Sequence, residues 1–170
     1  IARKYIKTNP VEHIRVMPEH EKFRKDLSPQ MLKQMATHLN KVDKPFYLAC
    51  LMQYYTLIRP GEMSNLKIGD ISIKRQSVFV SKEFSKNHKD AEVGLNKIVI
   101  KLMLDLGIFN YPNDFYLFGS KFKPSKEKYG AYQFNIRWKA MRKALNWDDC
   151  YQFYSLKDSG IRDLANAQGV

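Results

Sequence analysis

Between Pro45 and Leu57 the chain is almost wholly apolar or aromatic, with Phe46, Tyr47, Leu48, Ala49, Leu51, Met52, Tyr54 and Tyr55 covering every side of a helix drawn through them. A helix that is apolar all round leaves no face for water and belongs inside a core. This helix, starting at Lys44 or Pro45, therefore requires a domain folded around it. Arg59-Pro60-Gly61-Glu62 follows almost at once. Proline has no N–H to lose and a φ suited to a first helical turn, so one helix ends near Arg59 and a short one runs from Pro60 to Leu66. Arg59 is thereby held at a helix start, where free N–H groups favour anions and a guanidinium adds two parallel donors that fit phosphate oxygens. The same spacing admits a plainer role, in which Arg59 does no more than pair with Glu62 one turn on.

At 170 residues and 44% hydrophobic composition the chain is long enough for one domain with a substantial core. It begins with Ile1, which suggests a piece of a longer product. No apolar run reaches the ~20 residues a bilayer demands, and no signal segment is present, so a soluble protein without membrane association is expected. A formal charge of +12 points to a polyanionic partner, or else to a merely basic surface. Cys50 and Cys150 stand alone, and His13, His20, His38 and His88 are scattered, which supports neither a zinc site nor a disulfide framework. The expectation is a reduced, cytoplasmic protein with no metal and no cofactor.

Residues 1–26 mix charges with Asn9-Pro10 and Met17-Pro18 and read as a linker. Ser28-Pro29 then caps and opens a helix to about Asn40, with Met31, Leu32, Met35, Ala36 and Leu39 on one face. After Leu66 the period changes: Ile71 and Ile73, then Val78 and Val80, form a hairpin around Arg75-Gln76-Ser77, and a third strand falls at about Ala91 to Leu95. Asn96 to Leu106 is an amphipathic helix ended by Gly107. Phe109 to Leu117 reads as a packed loop. From Gly119 to Lys143 eight cations, Lys121, Lys123, Lys126, Lys128, Arg137, Lys139, Arg142 and Lys143, face a single acid, Glu127. The first half of this stretch reads as a mobile loop. The second, from about Ala131, is a helix with Phe134, Trp138, Met141 and Leu145 inward, which makes Trp138 a packing residue and leaves the cations outside. Cations there would add a salt-dependent affinity for phosphates without sequence information, although basic helix faces also occur in proteins that bind no nucleic acid.

The run Thr56-Leu57-Ile58-Arg59-Pro60-Gly61-Glu62-Met63, with Leu66 and Asp70-Ile71 beyond it, resembles the first arginine box of the tyrosine recombinases, the phage-integrase family. Leu57 stands where that box usually has glycine, and Met63 where it has leucine. Tyr154-Ser155-Leu156-Lys157-Asp158, with Gly169-Val170 downstream, resembles the second box, usually His-x-Leu-Arg-His. Tyr154 takes the place of the first histidine, Lys157 of the arginine and Asp158 of the second histidine; Tyr-Ser-x-Lys is a variant of this box within the family. Lysine keeps the charge but not the planar fork, and tyrosine offers one hydrogen bond without a charge.

The resemblance implies an α+β, mainly α-helical catalytic domain with a small three-stranded antiparallel sheet, over residues 27–170, preceded by a linker at 1–26 from a small DNA-gripping domain. It implies that Arg59 and Lys157 hold the scissile phosphate, that Glu62 supports Arg59, and that Tyr154 occupies the second-box histidine position. A lysine on the hairpin after the second strand would be the general acid, with Lys86 the first choice and Lys89 the second. Lys89, Lys121, Lys123, Lys126, Lys128, Lys139, Arg142 and Lys143 would contact double-stranded DNA. The family's nucleophile is a tyrosine some tens of residues beyond the second box, and none of the ten tyrosines here has that position. The 170 residues alone are therefore expected to be an inactive monomer, and the full-length protein a tetramer on paired DNA sites that integrates a mobile element. Type IB topoisomerases share the fold and chemistry. Two further readings stand beside the enzyme: a DNA-binding module on a decayed recombinase fold, and a basic helical domain that binds RNA or protein.

Overall fold

The computed structural model describes residues 24–169. The linker expected at 1–26 lies almost entirely outside the described residues. Six helices carry the fold: α1 (Pro29–Val42), α2 (Lys44–Thr56), α3 (Pro60–Met63), α4 (Lys97–Asp105), α5 (Tyr132–Ala144) and α6 (Ser155–Gln168). Three short strands, β1 (Ile71–Ser72), β2 (Ser77–Val80) and β3 (Ala91–Gly94), form one antiparallel sheet in the order β1-β2-β3. Val78 pairs with Ile71 on one side and Val93 on the other.

The apolar helix is the hub. Phe46, Leu48, Ala49, Cys50, Leu51, Met52, Gln53 and Thr56 of α2 are buried on all sides, and α1, α4 and α6 pack on it. Its entry is fixed by Asp43, whose Oδ1 accepts from the Phe46 N–H at 3.2 Å with Pro45 in the first turn. Ser28 Oγ caps α1 through the Met31 N–H at 3.2 Å, and Asn96 Oδ1 caps α4 through the Ile98 N–H at 2.9 Å.

At its other end α2 stops because Leu57 turns into the left-handed region, φ 58° and ψ 13°. That conformation costs an L-residue with a side chain about 1–2 kcal/mol and suits glycine. Glycine is what the resembled first box usually has at this position.

Beyond the sheet an aromatic layer closes the core. Phe122 lies 5.0 Å from Phe46 and 5.1 Å from Phe134 between ring centroids, and Phe153 lies 5.4 Å from Phe134 and 5.8 Å from Trp138. Trp138 is 1% exposed and donates its indole N–H to the Tyr151 carbonyl at 2.9 Å, which makes it a packing residue as its spacing indicated.

Two expectations need correction. The short helix after Arg59 ends at Met63 and not at Leu66, because the Asn65 and Leu66 N–H groups bond only three residues back, to the Glu62 and Met63 carbonyls, and close turns in place of a further α-helical turn. The stretch after Gly119 is a built segment and not a loose loop: Phe122 and Pro124 are buried, and Tyr116 bridges both Lys67 and Ser125. Gly119 has no room for a side chain, since an added Cβ would stand 1.9 Å from Ser125 Oγ and 2.7 Å from the Glu127 carbonyl.

Candidate active site

Arg59 is the residue that caps α3, in extended conformation at φ −71° and ψ 150°. A helix of four residues carries little dipole, so its start adds little to the guanidinium as a place for an anion. Glu62, 8% exposed, organises the surroundings. Its Oε2 accepts from the Arg59 backbone N–H at 2.9 Å, and its Oε1 accepts from Arg59 Nη1 at 3.2 Å and from the Lys86 backbone N–H at 3.2 Å. Burial alone would raise the Glu62 carboxyl, but the hydrogen bonds from Arg59 N–H, from Lys86 N–H and from the guanidinium outweigh it, and the group ionises below the ordinary carboxylate range.

The ion pair of the plainer reading therefore exists, and it does not use up the arginine. Among the described residues Nη1 is the guanidinium nitrogen that bonds, and the side chain stays about one third exposed at 35%. The same carboxylate holds the β2–β3 loop by the backbone of Lys86, leaving the Lys86 ammonium exposed. Lys89 is exposed later in that loop, next to Asp90, whose Oδ1 accepts from the Lys82 N–H at 2.6 Å. Lys128 also reaches this corner, with Nζ 2.5 Å from Asn65 Oδ1 and 5.8 Å from the Phe84 ring centroid.

The second box opens α6, with Tyr154 as its cap residue and Lys157 in its first turn. The two boxes meet through a glycine. A Cβ on Gly160 would lie 2.1 Å from the Tyr54 carbonyl and 3.0 Å from Leu57 Cδ2, so α6 crosses α2 at van der Waals contact of backbones. Tyr54 Oη donates to Asp163 Oδ2 at 2.5 Å one turn further on. Leu57 is two residues from Arg59 and Gly160 is three from Lys157, so this contact lies close in sequence to both cations.

Lys157 is half-buried, with Nζ 5.7 Å from the Tyr154 ring centroid. Asp158 is paired with Arg24, and the guanidinium of Arg24 lies 4.6 Å from that same ring centroid. Sequence reading missed Arg24. It falls in a stretch without periodicity, and its contact spans 134 residues, so no local signal marks it.

The remaining cations divide. Lys121, Lys123 and Lys126 are exposed on the segment before α5, and Lys139 and Lys143 are exposed on α5 itself. Arg142 is half-buried and donates Nη1 to the Asp149 carbonyl at 2.8 Å and the Tyr151 carbonyl at 3.4 Å, where it braces the approach to the second box. Among the described residues no group of three or more His, Cys, Asp or Glu could hold a metal ion, and no helix is long and apolar enough to cross a membrane.

A helical domain with a three-stranded antiparallel sheet, carrying an arginine box at the end of its central helix and a second cationic box on the helix that crosses it, is the tyrosine-recombinase catalytic-domain fold. Residues 22–169 match the phage integrase family, and the chain belongs to it. Similar solved structures include the XerA recombinase, with 20% identity over 86% of this chain and 52% of that one and a TM-score of 0.68. The Tn1549 transposon integrase in complex with transposon right end DNA is 17% identical over 95% of this chain and 60% of that one, with a TM-score of 0.74. The lambda integrase catalytic core is 16% identical over 85% of each chain, with a TM-score of 0.64. The chain spans about half the length of the XerA structure it matches. No curated protein matches it by sequence.

Proposed function

We propose that the chain is the catalytic domain of a site-specific DNA recombinase of a mobile element, which breaks and rejoins strands through a 3′-phosphotyrosyl intermediate. The observation that carries this reading is the Glu62 carboxylate, which binds the Arg59 backbone, the Arg59 guanidinium and the Lys86 backbone together. Charge on a transferring phosphoryl group is stabilised by fixed cations, and a positioned acid lowers the barrier for the leaving oxygen. Arg59 and Lys157 hold the non-bridging oxygens. A tyrosine oxygen attacks phosphorus, the bond to the 5′-oxygen breaks, and Lys86 delivers the proton that oxygen takes up. Tyr154 donates a hydrogen bond from the second-box histidine position.

This reading puts the nucleophile outside residues 1–170. Its partner is double-stranded DNA, contacted by the exposed Lys89, Lys121, Lys123, Lys126, Lys128, Lys139 and Lys143, with Arg142 bracing the surface from below; the full-length protein assembles as a tetramer on paired sites. Support for a DNA partner comes from relatives of the same fold solved with DNA, the Tn1549 and lambda integrases.

A second reading, a DNA-binding module without chemistry, is favoured by the second box, where Lys157 lacks the bidentate fork and Asp158 is anionic. Duplex binding by the 170-residue chain separates both from an RNA- or protein-binding domain. Covalent capture of nicked DNA by the full-length product separates the enzyme from the module. Tight duplex binding that is abolished at high salt and weakened in Arg59→Ala is the expected result; preference for RNA, or indifference to Arg59→Ala, would overturn the reading.

A further inference from the structure

We propose that Arg24 is a positioning residue of the second box: its fork-like pair with Asp158 neutralises the carboxylate that follows Lys157 and leaves the Lys157 charge available to a DNA phosphate. The inference rests on the reading of Lys157 as a phosphate ligand.

Asp158 stands where the family's box has its second histidine, so the chain has placed an anion where an anionic ligand is to be held. A carboxylate near a phosphate site opposes binding, and one beside a lysine competes for its ammonium. Arg24 answers both. Its Nε donates to Asp158 Oδ2 at 2.6 Å and its Nη2 to Oδ1 at 3.2 Å, so both carboxylate oxygens are engaged by one planar group. The guanidinium also lies over the Tyr154 ring, at 4.6 Å from its centroid, and Lys157 Nζ lies 5.7 Å from the same centroid. Arg24 and Lys157 thus share one aromatic ring, Asp158 is bonded to Arg24, and the three side chains together keep a net positive charge only while Arg24 is present.

Arg24 is held in place by its neighbours. The Lys25 N–H donates to the Cys150 carbonyl at 3.1 Å, and the Leu27 N–H donates to Ser159 Oγ at 2.8 Å. Arg162 Nη1 donates to the Leu27 carbonyl at 3.0 Å and pairs with Asp26. Residues 24–27 therefore lie along the first turns of α6 as a strap, with Leu27 fully buried beneath. A lysine at position 24 would keep the charge but could not engage both oxygens and stack on the ring at once.

The test is a double-mutant cycle on the 170-residue chain, read as the Kd for a fluorescein-labelled DNA duplex at low salt. Arg24→Ala is expected to weaken binding by about fivefold, the scale of coupling between directly bonded charges. Asp158→Asn, which retains Arg24, is expected to bind at least as tightly as the wild type. The double variant is expected to recover to within about twofold of wild type. Lys101→Ala, which removes an exposed charge on α4, supplies the effect of net charge alone, and thermal melts of every variant report folding.

A double variant as weak as Arg24→Ala would overturn the proposal, since Arg24 would then act on DNA or on folding directly. So would an Asp158→Asn variant that binds less tightly than wild type, a result that does not depend on whether Arg24→Ala folds. If Lys157→Ala binds no worse than Lys101→Ala, the reading of Lys157 itself fails, and the role of Arg24 falls with it.

Discussion

Glu62 does three things with one carboxylate, and each can be measured. It is nearly buried, it accepts two backbone N–H groups, and it pairs with Arg59. Replacing it with glutamine removes the charge and one acceptor while keeping the shape, and is expected to cost about 1–3 kcal/mol of stability in urea unfolding. The pH dependence has a definite sign. Because the carboxyl ionises below the ordinary range in the folded protein, the unfolded chain binds its proton first as pH falls. The contribution is complete above the ordinary carboxylate range and is lost as pH falls through the depressed folded value, so Glu62→Gln flattens that part of the stability curve. Gln53 provides the opposite case. It is fully buried on α2, and neither amide atom has a partner among the described residues. Gln53→Met keeps the volume and removes the unpaired groups, and is expected to stabilise the domain by about 1–3 kcal/mol. The first box was legible in the sequence because its parts lie within a few residues of one another. The Glu62 bond to Lys86 and the Arg24 pair with Asp158 were not, because each joins segments that only the folded backbone brings together.

The α2–α6 crossing fixes the two boxes relative to each other, and it depends on a hydrogen in place of a methyl group. Gly160→Ala would improve helix propensity by up to about 1 kcal/mol. It would also put a carbon 2.1 Å from the Tyr54 carbonyl, a backbone atom that cannot swing aside. The clash wins: a net loss of about 1–3 kcal/mol is expected in urea denaturation, with DNA affinity reduced in the fraction that still folds. An element whose boundary is set by a cap could be read directly, as at Ser28-Pro29, and the sheet followed from the alternation of Val78 and Val80. The segment between Gly119 and Gly130 could not. Its Ser, Pro and Lys content resembles a loop, yet Phe122 is 3% exposed and packs against Phe46, Phe118 and Phe134. A single buried aromatic inside a polar run has no period to reveal it.

For the molecule as a whole, charge governs how a phosphate backbone is met. The +12 formal charge predicts duplex affinity that falls steeply with salt, and removing one cation that neutralises a phosphate should lower the slope of log Kd against log salt by about 0.9. Lys123→Ala with Lys126→Ala is expected to reduce that slope by about 1–2 without altering thermal stability, because both side chains are exposed. Composition points to a polyanionic partner but does not separate outward from inward cations; Arg142, which bonds the Asp149 and Tyr151 carbonyls, looks in sequence the same as the exposed Lys143 beside it.

Everything proposed for the site turns on Arg59 and Lys157 acting together on one phosphate. To test this, the full-length product is incubated with duplex DNA carrying a nick beside the cleavage position, and a denaturant-resistant protein–DNA adduct is sought. The expected result is an adduct in the wild type that disappears in both Arg59→Ala and Lys157→Ala while duplex binding persists. No adduct on DNA that is clearly bound, or an adduct that survives either substitution, would contradict the joint role of the two cations.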